Sequence, residues 1–199
     1  MAAIPLDVAG RSDRPSALIR LALWWGRRRF GRDVESGLAM THHSGVFWRW
    51  SGFELANLRM RSVLPGELGQ LVEFVAAVRI GCTWCVDFGA SLWEERGLDP
   101  AVLRDAVDWR ESDQFDDCHR AAFAVAEAMS GADPHVEPAL VEELRRHVGD
   151  AGVVEVAYRA ALENMRSRFN SALGLTSQGF SSGDACSLVE ARTASRARA

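Results

Sequence analysis

Apolar and polar residues alternate with a helical period along most of the chain, and no stretch shows the strict alternation of a β-strand. Apolar residues that recur every three or four positions form one face of an α-helix. These patterns, with their capping residues and Gly or Pro stops, predict an all-α fold. The predicted helices are residues 15–30, 34–42, 45–63, 67–80, 82–96, 101–109, 113 or 116 to 129, 136–147 and 153–173.

The two ends of the chain lack this periodicity. Residues 1–16 are rich in Gly, Pro, Asp and Arg, and residues 176–199 are rich in Ser, Gly, Ala and Arg. We therefore expect a flexible N-terminal arm over residues 1–16, a single all-helical domain over residues 17–175 and a flexible C-terminal tail over residues 176–199. Cys186 lies in that tail and is interpreted as incidental.

Two apolar segments each allow two interpretations. The first helix combines an apolar face with several arginines, so it either packs in a core or subunit contact or lies on a membrane surface. It is too short to span a membrane, and we expect no membrane partner. In the third helix, the aromatic side chains of Trp48, Trp50 and Phe53 either belong to the core or line a substrate pocket beside the cysteines.

Two cysteines stand three residues apart where a helix is expected to begin, in Gly81-Cys82-Thr83-Trp84-Cys85. Gly81 interrupts the apolar run before them, and the periodic pattern resumes after them. The thiolate is the reactive form of cysteine, and the unpaired N–H groups of a helix N-terminus favour it. The spacing therefore indicates redox chemistry at Cys82 and Cys85.

Composition excludes several classes of function. The 199 residues are 48% hydrophobic and 25% charged, with a net charge of −4, so nucleic acid is not an expected partner. All 23 basic residues are arginine, which excludes a lysine Schiff base or a P-loop lysine. With 4 cysteines and no secretory leader in residues 1–15, we expect a cytoplasmic protein without a disulfide scaffold.

A metal site is not expected. Cys118 and His119 could join the two cysteines as zinc ligands, but the second C-x-x-C or H-x3-H half of such a site is missing. We interpret Cys118 and His119 as surface residues, and we expect neither a metal nor a cofactor.

Glu73 is the candidate acid or base. It interrupts an apolar helix just before the cysteines, where burial would raise the pKa of its carboxyl and allow it to accept a thiol proton. Alternatively, it reaches solvent or forms an ion pair with Arg79 or Arg59. The sequence leaves both alternatives open.

The cysteine segment, the stretch 106–112 followed by 120–129, and the stretch 168–175 resemble, in this order, parts of the carboxymuconolactone decarboxylase superfamily. The resemblance covers residues 38–180 and is to the branch typified by alkyl hydroperoxidase D. It implies the compact multi-helix fold of that branch and a homo-oligomer, a trimer or a multiple of one. It also implies a thiol peroxidase in which Cys85 attacks a hydroperoxide, Cys82 resolves the sulfenic acid and an external thiol reduces the disulfide.

The chain departs from this branch at its proton relay. The relay glutamate, twelve residues before the first cysteine, is replaced by Gln70, and the relay histidine, four residues after the second, is replaced by Gly89. Glu73 lies one turn from Gln70 and could replace the carboxylate, and Asp87 lies near the missing histidine. Two alternatives therefore remain: a non-redox decarboxylase or lactone-type enzyme, and a non-catalytic redox or ligand-binding subunit.

Overall fold

The computed structural model describes residues 2–8 and 14–182, and within these ranges it is all-helical, as predicted. The predicted tail beyond residue 182, with Cys186, lies outside the described residues. The helices are α1 (Ala17–Phe30), α2 (Glu35–Met40), α3 (Ser44–Leu58), α4 (Leu68–Ile80), α5 (Thr83–Glu95), α6 (Pro100–Val107), α7 (Asp117–Met129) and α8 (Pro138–Ala172). Gly149, with φ 67° and ψ 179°, interrupts α8, so the two predicted last helices meet there.

The described residues form two compact units, and the single domain expected from the sequence stays a prediction. Of the residues that the structure describes, the first unit takes those up to Arg61 with Ala172–Leu175, and the second takes Ser62–Ser171 with residues 176–182. The first unit contains α1, α2 and α3. The second contains α4 to α7 and nearly all of α8, and both predicted active-site cysteines belong to it.

The apolar side chains of the first unit are mostly at its surface. On α1 only Ile19 is buried, while Leu18, Leu21 and Trp25 of the predicted packing face are exposed. Trp48 and Phe53 on α3 are also exposed, so they are not core residues of this unit. These apolar faces are therefore not buried within the single chain, and their burial in a subunit contact stays a prediction.

Helix α4 is the centre of the second unit and packs against α5, α6 and α7. Most of its residues are apolar and buried, with Leu68, Val72 and Ala76 completely inaccessible to water. A helix that is apolar on all sides belongs in a core, because each buried aliphatic side chain contributes about 1.5–3 kcal/mol. Helix α4 therefore gives the cysteine helix a rigid support.

Two residues, Gly81 and Cys82, connect α4 to α5. Gly81 adopts the left-handed conformation with φ 86°, which ends α4, and a side chain would be strained there. Cys82 follows as the N-cap of α5. The backbone conformation at Gly81 thus sets the position of the two cysteines.

The chain after α8 returns to α5. Residues 177–182, which we call the C-terminal strap, are bonded to Thr83, Trp84, Asp87 and Glu94 of that helix. This part of the predicted tail is therefore attached to the second unit.

Helix α8 buries several polar side chains beside its apolar ones. Glu155, Glu163, Ser167 and Asn170 are all buried, whereas the apolar residues Val154 and Met165 are exposed. Because periodicity counts only apolar residues, it predicts a helix over residues 153–173 but does not indicate that these polar side chains are buried.

Candidate active site

Cys82 and Cys85 form a disulfide at the N-terminus of α5, with their Cα atoms 5.4 Å apart. Both are buried, Cys82 with 2% and Cys85 with 8% of its surface exposed. The Cys85 backbone N–H donates to the Cys82 sulfur over 3.2 Å, so Cys82 caps the helix with its side chain. The pair can store two electrons as dithiol and disulfide at a site shielded from bulk water.

The Cys85 sulfur has a different donor. The side-chain amide of Asn170 on α8 donates from Nδ2 to the Cys85 sulfur over 3.3 Å. Asn170 itself is only 2% exposed. Its Oδ1 is buried, and no group in the part of the chain that the structure describes bonds to it.

Two more buried polar residues lie on the same face of α8 as Asn170. Ser167 and Glu163 precede Asn170 by three and seven residues, a spacing that aligns side chains along a helix. The Ser167 hydroxyl donates to Glu163 Oε1 over 2.7 Å, and Arg166 lies 3.6 Å from Glu163 Oε2. A row of polar side chains on α8 thus leads to the Cys85 sulfur.

Glu73 is held by two cations. Its carboxylate accepts hydrogen bonds from Arg159 at 2.7 Å and from Arg166 at 2.8 Å, both on α8. A Cβ at Gly69 would overlap the Arg159 side chain, so the glycine allows that side chain to lie against α4. Arg79 and Arg59, the partners considered from the sequence, do not form these ion pairs. The two arginines favour the structural interpretation of Glu73, and its role as a base stays a prediction.

The two substituted relay positions differ in their surroundings. Gln70 accepts a hydrogen bond from Arg96 over 2.8 Å, and Arg96 also pairs with Glu67. At Gly89, an added Cβ would meet nothing within 4 Å. The second relay position therefore has room for a side chain, although the sequence supplies none.

Asp87 binds the C-terminal strap and is not free to act as a base. Its Oδ2 accepts from the Ser177 hydroxyl and from the N–H groups of Gln178 and Phe180, and its Oδ1 accepts from the N–H and the hydroxyl of Ser181, all at 2.8–3.0 Å. Burial alone would raise the pKa of Asp87, but these hydrogen bonds outweigh it and lower the pKa. The Asp87 carboxyl group therefore stays ionised although it is buried.

Aromatic side chains flank the cysteines. Trp84, the second residue between them, stacks on Phe88 with ring centroids 5.1 Å apart, and Phe180 of the strap contacts Phe88 edge-on at 5.3 Å. The Trp84 indole N–H donates to Gln178 over 2.9 Å. The strap and α5 therefore form one aromatic cluster beside the disulfide.

The other candidates from the sequence lie elsewhere. Asp116 caps α7 and bonds to His119, and burial, with the negative charge of Asp116, raises the pKa of the Cys118 thiol. A raised pKa disfavours the thiolate, as expected for a residue outside the redox site. Within residues 2–8 and 14–182, no cluster of three or more His, Cys, Asp or Glu residues could bind a metal. No helix in the same ranges has the length and apolar character needed to cross a membrane.

An all-helical unit with a disulfide-forming C-x-x-C at a helix N-terminus defines the alkyl hydroperoxidase D-like class. The chain belongs to the carboxymuconolactone decarboxylase family, whose sequence profile matches residues 45–128. It is 31% identical over 176 residues to the uncharacterized protein YnjA of Escherichia coli strain K12. That alignment covers 88% of this chain and 94% of YnjA.

Solved structures share the fold. The alkylhydroperoxidase AhpD core protein of Ralstonia eutropha JMP134, an uncharacterized peroxidase-related protein, has a TM-score of 0.75 at 17% identity, covering 90% of this chain and 94% of its own. The debrominase Bmp8 in complex with 2,3,4-tribromopyrrole has a TM-score of 0.73 at 18% identity, covering 96% and 99%. The all-α, alkyl hydroperoxidase D-like fold is thereby confirmed.

Sequence reasoning missed the contributions of Asn170, Glu163 and Ser167. Their spacing is visible in the sequence, because Glu163, Ser167 and Asn170 follow one another at intervals of four and three residues, which places them on one face of a helix. An additional signal was the position of Asn170 within the stretch 168–175 that carries the resemblance. Only the structure, however, brings Asn170 to Cys85, 85 residues earlier in the chain.

Proposed function

We propose that the protein is a thiol-dependent oxidoreductase that reduces hydroperoxides with the Cys82 and Cys85 pair. The observation that carries the proposal is the buried disulfide at the start of α5, in which each sulfur accepts a hydrogen bond from a different N–H donor. Donors of this kind stabilise negative charge on sulfur, which a thiol needs in order to attack. Membership of the family supports the same chemistry.

The reaction consumes one hydroperoxide and two thiols. The Cys85 thiolate attacks the hydroxyl oxygen of ROOH, the O–O bond breaks and a proton completes the alcohol ROH, leaving Cys85 as a sulfenic acid. The Cys82 thiol then displaces water from Cys85 and forms the disulfide. An external thiol of the cytoplasm returns both cysteines to the reduced state.

A second substrate class would use the same two electrons. Oxidation of a dithiol to a disulfide can convert an aromatic carbon–bromine bond to carbon–hydrogen with release of bromide and one proton. The aromatic cluster of Trp84, Phe88 and Phe180 beside the disulfide favours this candidate, because flat rings stack on aromatic side chains. The similarity in fold to the debrominase Bmp8 also supports this candidate.

Thiol titration before and after one equivalent of a hydroperoxide tests the primary proposal. We expect two of the 4 thiols to disappear, with the Cys82–Cys85 disulfide found by mass spectrometry. Cys85→Ser should abolish this loss, and Cys82→Ser should trap a sulfenic acid at Cys85. Cys118→Ser is the control and should behave as the natural protein.

Two outcomes would change the assignment. A pair that stays reduced in the presence of hydroperoxide would end the peroxidase proposal. A sulfenic acid on Cys82 would reverse the roles of attacker and resolver.

Bromide release from a polybrominated pyrrole, measured on the reduced protein without peroxide, tests the second substrate class.

A further inference from the structure

The two sulfurs of the disulfide are not equivalent in their surroundings. Cys82 is the N-cap of α5 and accepts the backbone N–H of Cys85 over 3.2 Å. This position by itself would favour the thiolate on Cys82, since the N-terminal N–H groups and the helix dipole act on that sulfur. An attack by Cys85 therefore needs a second source of stabilisation.

Asn170 supplies a donor that acts on Cys85. Its Nδ2 lies 3.3 Å from the Cys85 sulfur, and its side chain is almost completely buried, so water does not compete for the same hydrogen bond. A side-chain amide donating to a charged acceptor forms a stronger bond than one donating to a neutral acceptor. The bond therefore strengthens when Cys85 is reduced and ionised.

The other end of the Asn170 amide also points to a ligand. Oδ1 is buried, and nothing in the described residues donates to it in the oxidised protein. Buried polar atoms are nearly always paired, so an unpaired acceptor beside a reactive sulfur requires an explanation. A hydroperoxide has one O–H group, and that group is on the oxygen that the thiolate attacks.

We propose that Asn170 is a catalytic residue that selects Cys85 as the attacking thiol and orients the hydroperoxide. Nδ2–H stabilises the Cys85 thiolate, while Oδ1 accepts a hydrogen bond from the hydroxyl of ROOH. This arrangement holds the hydroxyl oxygen next to the Cys85 sulfur, where the S–O bond forms as the O–O bond breaks. The inference rests on the proposed peroxidase function for its substrate, whereas the selection of Cys85 is independent of any substrate.

The selection is tested by competitive labelling of the fully reduced protein. Limiting iodoacetamide at pH 7.5 is followed by peptide mass spectrometry, which gives the ratio of Cys85 to Cys82 alkylation. We expect Cys85 to be labelled preferentially in the natural protein. Asn170→Ala should lower the ratio of Cys85 to Cys82 labelling about tenfold, because a rise of about one unit in the pKa of the Cys85 thiol lowers its thiolate fraction by that factor.

Asn170→Asp is the second variant, because it keeps the shape of the side chain while it removes the donor. Its carboxyl group should lower the ratio at least as far as alanine does. Asn164→Ala is the matched control: Asn164 is on the same helix, but its amide donates to Ser130 and to the Ala160 carbonyl. The control should keep the natural ratio.

The same proteins are then treated with hydroperoxide, and the rate of disulfide formation is measured. Loss of both the labelling preference and the rate in the Asn170 variants supports the whole inference. An unchanged ratio in both variants overturns it, as does a natural protein whose two cysteines stay unlabelled. A changed ratio in a protein that never reacts with hydroperoxide supports the selection of Cys85 and rejects the peroxidase function, so the two failures are distinguishable.

Discussion

The indole N–H of Trp84 donates a hydrogen bond to the side-chain carbonyl of Gln178, which joins one of the two residues between the cysteines to the C-terminal strap. The separation along the chain is 94 residues, so this contact ties the strap directly to the start of the cysteine helix. Asp87, one turn further along α5, accepts five more hydrogen bonds from the strap.

Asp87→Asn should weaken the strap and lower the stability of the protein. The amide replaces one acceptor oxygen with an NH2 group that faces N–H and O–H donors, so at least two hydrogen bonds to a charged group are lost. We expect a loss of about 3 kcal/mol, or a melting temperature lower by roughly 6–12 °C. Thermal unfolding at pH 7 measures it. The exposed Asp133→Asn is the control, and an equal effect in both variants would contradict the prediction.

Acid should destabilise the protein through two carboxylates. Burial opposes the ionisation of both Glu155 and Asp87. Hydrogen bonds from Val63 and Ser62, together with the bond to Arg159 and its charge, nevertheless lower the pKa of Glu155. Hydrogen bonds from the strap lower the pKa of Asp87. The unfolded chain therefore binds more protons below the usual pKa values of 4.5 and 3.8. Their contribution is complete above those values and is lost as the pH falls through the lowered folded pKa values.

Melting temperatures measured from pH 7 to pH 2.5 check this dependence. We expect a nearly constant value down to about pH 5 and a steep fall below about pH 4.5. Asp87→Asn and Glu155→Gln should each be less stable at pH 7 and should lose less on acidification. A natural protein with the same acid profile as both variants would show that these carboxylates are not responsible.

Gly89→His should make the cysteines more reactive at neutral pH. The position is four residues after Cys85, one turn along α5, and a Cβ there meets nothing within 4 Å. An imidazole with an ordinary pKa near 6.5 can accept a proton from the thiol. The second-order rate of disulfide formation with hydroperoxide is the measurement. Gly89→Ala is the control, because alanine raises the helix propensity relative to glycine but adds no imidazole. Equal rates in the two variants would show that the missing imidazole does not limit the reaction.

Glu73→Gln distinguishes a structural carboxylate from a base. Because Glu73 bonds to both Arg159 and Arg166, we expect the variant to lose about 2 kcal/mol of stability and to keep the Cys85 reactivity. Urea unfolding and the iodoacetamide rate measure the two effects. Glu67→Gln, which removes a more exposed ion pair to Arg96, is the control. A large fall in reactivity with normal stability would instead support Glu73 as the base that the sequence suggested.

The exposed apolar side chains of α1 and α3 lead us to propose a homo-oligomer. Trp25 is 62% and Leu58 is 82% exposed in the single chain, and large apolar groups in one area usually mark a contact. We expect a trimer or a multiple of one by light scattering at micromolar concentration. Leu21→Glu with Trp25→Glu should reduce the assembled mass, whereas Arg20→Glu on the same helix should reduce it less. A natural protein that is monomeric would contradict the proposal.

The start of the cysteine helix could be predicted from the sequence because its determinants are local. Gly81 ends one helix, Cys82 caps the next, and the apolar residues of α4 mark it as a core helix, all within 15 residues. The surroundings of the cysteines could not be predicted in this way. Asn170 and the strap reach Cys85 and Asp87 across more than 80 residues of chain. Apolar periodicity predicts the last helix but does not indicate that Glu163, Ser167 and Asn170 are buried in it.

The bonds between Asp87 and the strap also set an order of events during synthesis. Asp87 is made 94 residues before Ser181, which at about 5–20 residues per second corresponds to roughly 5–20 s of translation. Until residues 177–181 have emerged, the Asp87 carboxylate lacks every one of these strap partners, and the ring of Trp84 lacks that of Phe180. The cysteine helix of a growing chain is therefore open on the side that the strap later covers, and Trp84 and Asp87 meet solvent there before they meet the strap.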